Sequence, residues 1–173
     1  MQFTVVQGDI AAQSADALVN AAGTSLRMGS GVAGALRRGA NGPINEAAMA
    51  NGPIDLGAVA VTDAFDLDAE IVIHAAAMQH YGDGNATAES IRSATQNALA
   101  AADERSLESV VIPALGCGVA GFDLEAGAQL IVTEIADFEP VSLTDVRIIG
   151  YSAAEYEPIR SVAASTAPPA FVE

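Results

Sequence analysis

The stretch from residue 110 to residue 123 constrains the fold more than any other part of the chain. Residues 110–114, Val-Val-Ile-Pro-Ala, form a continuous apolar run. A run of that length reads as a strand buried on both faces, the kind found inside parallel sheets. It passes into the glycine-rich loop Gly116-Cys117-Gly118-Val119-Ala120-Gly121-Phe122, and Asp123 then caps a helix predicted to reach about Phe138. Strand, glycine loop and helix in succession are the building unit of α/β folds.

The rest of the chain repeats the alternation. Strand composition marks residues 2–6, 17–20, 57–65, 70–75 and 145–151, and the third and fourth of these are expected to be neighbours across the acidic turn at Asp66 and Asp68. Helices are predicted over 32–38, from Pro43 through Ala50, over 87–104 and from Glu155 onward. The third helix places Ile91, Ala94, Ala98, Leu99 and Ala102 at helical spacing, with Thr87 and Ser90 as capping groups. Together these predict a single three-layer α/β/α domain over residues 1–164 with a mixed, mostly parallel sheet. Residues 165–173, with Pro168 and Pro169, are expected to form an extended tail. Ligands of open sheets bind outside the carboxyl ends of the strands, so the loops there are the place to look.

With 173 residues, 51% of them hydrophobic, the chain suffices for one core. No apolar run approaches the ~20 residues needed to cross a bilayer, and no signal segment opens the chain, so a cytoplasmic protein without a membrane partner is expected. One cysteine and two histidines point to neither a disulfide nor a metal site, and no cofactor is expected. The formal charge is −15, all seven basic residues are arginine, and lysine is absent. Such a surface repels nucleic-acid backbones, which excludes general nucleic-acid binding. The composition resembles that of proteins from salt-accumulating halophiles. Without lysine, the phosphate loop of nucleoside-triphosphate hydrolases is excluded as well.

A second glycine-rich loop, Met28-Gly29-Ser30-Gly31-Val32-Ala33-Gly34, also enters a helix. Helix N-termini offer free N–H groups and a positive dipole end, and glycines let an anion come close. Two such loops across one cleft would hold a diphosphate without a cationic side chain. Each loop taken alone is equally well read as turn chemistry.

These pieces, in order, resemble the macrodomain family, of the ADP-ribose-binding and Appr-1''-p-processing type. The resemblance rests on Gly8-Asp9-Ile10, Val19-Asn20-Ala21-Ala22, Gly29 to Ala35, Val72-Ile73-His74-Ala75, Tyr81-Gly82 and Ile112 to Phe122, and covers the chain to about residue 160. It implies that ADP-ribose, or an ADP-ribosylated macromolecule, is the partner. Asp9 then looks like the acceptor for the adenine amino group, beside the backbone of Ile10. Tyr151, or less plausibly Tyr156, resembles the aromatic that stacks on adenine. Asn20 matches the asparagine of the second-strand motif. The backbones of Ser30, Gly31 and Val32 are expected on the phosphates and distal ribose. Gly116, Cys117, Gly118, Val119, Ala120 and Gly121 are expected around the diphosphate, and Phe122 near the distal ribose. Without the resemblance, Asp9 reads as a cap carboxylate and Tyr151 as a rim tyrosine.

Hydrolases of the family commonly carry a second asparagine after the alanine pair and an aspartate in the first glycine loop, where this chain has Gly23 and Ala33. Gly23 and Ala33 favour a binding module, while the family's frequent role as a stand-alone small enzyme favours hydrolysis of a group on the distal ribose, by a mono-ADP-ribosyl hydrolase or an O-acetyl-ADP-ribose deacetylase relying on a substrate-held water. The lysine-dependent branch is excluded. Cys117 paired with His74 or His80 would be a nucleophile, but His74 in its apolar strand reads as a core histidine. An unrelated phosphate-binding α/β protein is the remaining alternative.

Overall fold

The computed structural model describes residues 1–80, 83–167 and 170–173. Tyr81, Gly82, Pro168 and Pro169 lie outside the described residues. Six strands form one sheet in the order β1-β6-β5-β2-β4-β3: β1 (Gln2–Gln7), β2 (Ala17–Gly23), β3 (Val59–Asp63), β4 (Ile71–Met78), β5 (Ser109–Pro113) and β6 (Asp145–Gly150). All pairings are parallel except β3 with β4. That antiparallel pair is the mixed feature anticipated from two successive strands without an intervening helix.

The helices are α1 (Gly31–Ala40), α2 (Ile44–Met49), α3 (Ala88–Glu104), α4 (Leu124–Asp137) and α5 (Ala153–Thr166), with a short 3-10 turn at Ile10–Ala12. Side-chain alternation divides the core in two. Val19, Ile73, Val110, Ile112, Val146 and Ile148 face α3, α4 and α5. Leu18, Val72, Val111 and Ile149 face α1 and α2. Thr87 and Ser90 form a reciprocal capping box on α3, and the Asp123 side chain accepts from Ala126 N–H at 3.0 Å to open α4.

The last helix and the tail differ from expectation. Ser152, not Glu155, is the N-cap of α5, and Ser165 and Thr166 are still helical. The chain then returns to the sheet, with Phe3 N–H donating to Ala170 O and Val172 N–H donating to Phe3 O, each at 2.9 Å. The rings of Phe3 and Phe171 are 5.7 Å apart. These hydrogen bonds and the ring contact hold Ala170, Phe171 and Val172 against β1.

The pairing of β2 with β5 matters most for the site. It spans only Ala17 with Val110 and Leu18 with Val111, after which the two strands part. Pro113, near the end of β5, has no N–H with which to continue the ladder. The chain also leaves β2 toward α1 on one face of the sheet and β5 toward α4 on the other. A crevice opens where adjacent strands send their connections to opposite faces.

Candidate functional site

That crevice holds a cavity of about 490 Å³, within the ~300–1,000 Å³ range of small-molecule sites. Its floor is the alanine pair Ala21 and Ala22 on one side and Pro113 and Ala114 on the other, where β2 and β5 part. Small side chains at these positions leave room above the strand ends.

One wall is the start of α1, with Ser30, Gly31, Val32, Ala35 and Arg38. Gly31, Ala35 and Arg38 recur at helical spacing and so share a face. Gly31 has φ +64°, which favours glycine. The N–H groups of Gly31, Val32 and Ala33 precede the first intrahelical bond, made by Gly34 N–H to Ser30 O at 3.4 Å. A Cβ at Gly34 would come within 2.8 Å of Gly29 O, so this glycine lets the loop fold back on the helix.

The opposite wall is the loop after β5, contributing Gly116, Cys117, Gly118, Val119 and Ala120. The turn is closed by Cys117 N–H to Ala114 O, Gly121 N–H to Gly118 O and Phe122 N–H to Gly116 O, at 3.0–3.2 Å. Gly116 and Gly121 have φ near +77° and +76°. Among the described residues, the N–H groups of Gly118, Val119 and Ala120 donate no hydrogen bond within the protein. Gly118 differs from the other two glycines, because a Cβ there would meet nothing within 4 Å. Val119 is 67% exposed at the lip.

The far end is built from the exits of β1 and β6. Gly8, Asp9 and Ile10 follow β1, and Ile149, Tyr151 and Glu155 come from β6 and the start of α5. The Asp9 carboxylate caps the 3-10 turn through Oδ1, which accepts from Ala11 N–H at 2.9 Å, while Oδ2 accepts no hydrogen bond from the described residues. The Tyr151 ring is 72% exposed. Its N–H donates to Glu155 Oε2 at 2.7 Å. Tyr156 has its backbone against Gly150 and does not line the cavity.

Three of the expected site residues do not line the cavity. Asn20 is 1% exposed and sits in the polar row on the α1/α2 side of the sheet, because residues 18, 20 and 22 share that face. Its Nδ2 donates to His74 Nδ1 at 3.0 Å. Gly121 turns the loop, and Phe122 packs against the core. The cavity also gains Arg38, Met78, Leu124 and Glu155, none of which was singled out from the sequence. Helical spacing from Gly31 would have found Arg38; nothing in the sequence pointed to Glu155.

Cys117 is not an activated thiol. Burial pushes it up to about 11, and the nearby carboxylates of Asp123 and Glu155 push the same way. The anionic N-cap and desolvation outweigh the helix dipole. The thiol lies over Gly127, where any Cβ would collide with its sulfur. Among the described residues, its hydrogen bonds run to the carbonyls of Leu115 and Asp123. Neither histidine serves it: His74 is bonded to Asn20 and Thr62, and His80 to Ser25. Among the described residues, no group of His, Cys, Asp and Glu could hold a metal ion.

The Macro domain family model matches residues 19–131, which include both cavity loops. The chain belongs to this family. A protein of Saccharolobus solfataricus is 34% identical to this macrodomain over 166 residues, covering 94% of this chain and 92% of the relative. Among solved structures, a mutant of the Oceanobacillus iheyensis macrodomain with ADPR matches with a TM-score of 0.80 at 26% identity, over 92% of this chain and 89% of the other. The Trypanosoma brucei macrodomain in complex with ADP-ribose has the same fold, with a TM-score of 0.82 at 22% identity, over 92% and 68% of the two chains. Among the described residues, no helix is long and apolar enough to cross a membrane.

Proposed function

We propose that this macrodomain binds ADP-ribose, free or attached to a macromolecule, through its two glycine-rich loops. The observation that carries the reading is the arrangement of the crevice. Among the described residues the N–H groups of Gly31 and Val32, and those of Gly118, Val119 and Ala120, donate to no protein acceptor; these residues line the two walls beside the floor where β2 and β5 part, with a carboxylate and an exposed tyrosine at one end. Backbone donors suit a diphosphate in a chain of net charge −15. Asp9 Oδ2 accepts from the adenine amino group and Tyr151 covers the base. ADPR in the Oceanobacillus iheyensis relative supports the same ligand class.

The second sugar then extends past the diphosphate toward Met78 and the end of β2. Among the described residues lining the cavity there, Ala21, Ala22 and Met78 carry no side chain that could activate water. Ala33 is buried in the core under α1, and a Cβ at Gly23 would already be 3.0 Å from Gln79 O. Recognition without turnover follows, and hydrolysis would have to come from a water held by the ligand's own diphosphate.

The experiment is calorimetric titration with ADP-ribose in high salt, beside incubation with O-acetyl-ADP-ribose and with a mono-ADP-ribosylated protein. Micromolar binding without product release supports the proposal. Product release would make the protein a hydrolase, and no binding would refute it.

A further inference from the structure

Glu155 is, with Asp9, one of two carboxylates among the described residues lining a cleft whose glycine loops suit anions. Its Oε2 accepts the Tyr151 N–H at 2.7 Å, which fixes the side chain beside the base platform, and Oε1 has no partner among the described residues. It lines the same cavity as Tyr151 and the loop after β5, and its charge acts on the Cys117 thiol of that loop. A nucleotide lying from Tyr151 to that loop must put its first sugar at this place, because the sugar links base to phosphate. There the ligand has only two donors to offer, the 2'- and 3'-hydroxyls. A carboxylate accepts from hydroxyls and repels phosphate.

We propose that Glu155 is a specificity-determining residue that reads the hydroxyls of the adenosine ribose, favouring ribose over deoxyribose and rejecting a ligand phosphorylated on that sugar. This rests on the ADP-ribose reading above. Arg38, the one cation among the described residues lining the cavity, stands beside Ala35 on α1, which packs against the 3-10 turn.

The test compares ADP, 2',3'-dideoxy-ADP and 2'-phospho-ADP-ribose as calorimetric ligands for the wild type and for Glu155→Gln. Gln can still accept the Tyr151 N–H but turns a neutral amide to the sugar. The wild type is expected to bind ADP about tenfold more tightly than the dideoxy compound, the scale of a charge-assisted hydrogen bond in a half-open site. In Glu155→Gln that ratio should fall toward one, and 2'-phospho-ADP-ribose should bind more tightly than to the wild type. A purely structural role through Tyr151 would weaken all three ligands alike and leave the ratios unchanged, which would overturn the assignment. Failure of the wild type to bind ADP at all would instead refute the underlying reading together with it.

Discussion

Asn20 and His74 stand opposite each other on β2 and β4, and the Asn20 Nδ2 donates to His74 Nδ1 at 3.0 Å. This bond sets the tautomer. With Nδ1 accepting, His74 Nε2 carries the proton and donates to Thr62 Oγ1 at 2.9 Å, and the Thr62 hydroxyl donates on to Asp63 O. The row crosses three strands, from β2 through β4 to the edge strand β3. It needs a neutral imidazole, since a second ring proton would face the Asn20 amide donor.

Burial lowers His74 from its usual 6.5 to about 4. The unfolded chain therefore binds a proton that the folded chain does not, and folding stability rises with pH across that window. The contribution is complete above pH 6.5 and is lost as pH falls toward 4, amounting to about 3 kcal/mol. Denaturant unfolding from pH 4.5 to 7.5 should show a slope that is shallower by about one proton in His74→Gln. Equal slopes would mean that His74 is not the titrating group.

Gly118 offers a clean probe of the cradle, since neither a positive φ nor a close neighbour requires glycine there. Gly118→Val should leave the melting temperature within a few degrees and weaken ADP-ribose binding by about 100-fold or more, because its branches fill the space that the proposed reading gives to the phosphates. Calorimetry and thermal unfolding on the same sample check both halves.

Asp9 has two duties that a pair of variants separates. Asp9→Ala removes the cap on Ala11 N–H and, on the proposed reading, the acceptor for adenine, so it should cost about 1 kcal/mol of stability and about tenfold in affinity. Its preference for ADP-ribose over GDP-mannose should shrink. Asp9→Asn keeps a capping oxygen and should restore stability while base selectivity stays impaired. Unchanged selectivity in both would remove Asp9 from the base site.

Because the Cys117 thiol is held up at about 11, it should react with iodoacetamide at pH 7.5 far more slowly than a free thiol. Cys117→Ala should bind ADP-ribose as the wild type does. Fast alkylation, or loss of any turnover in this variant, would contradict the passive role.

A net charge of −15 implies self-repulsion that salt relieves, as the screening length falls from ~10 Å at 0.1 M to ~3 Å at 1 M. The melting temperature should climb as KCl is raised over that range, matching the halophile-like composition. A flat or falling curve would indicate that the surface carboxylates are already compensated.

The layers and loops were legible because local chemistry dictated them. Residues 110–123 announced strand, turn and capped helix, and Thr87 with Ser90 announced α3. Less visible was anything set by pairing across the sheet. The parting of β2 from β5 leaves no mark in either strand, so Ala21, Ala22 and Ala114 could be placed at the floor only with the structure in hand. Asn20 carries the family motif, yet strand alternation turns it into the core beside His74. Glu155 reads as a first-turn helix residue, and only the fold puts it on the cavity wall with the loop after β5.

The most direct test of the central claim is an amide-resolved NMR titration with ADP-ribose. The account predicts that the largest shifts fall together on Gly31, Val32, Gly118, Val119 and Ala120, with smaller ones at Ile10 and Tyr151, and that α3 stays unmoved. Shifts confined elsewhere, or none at saturating ligand, would contradict it.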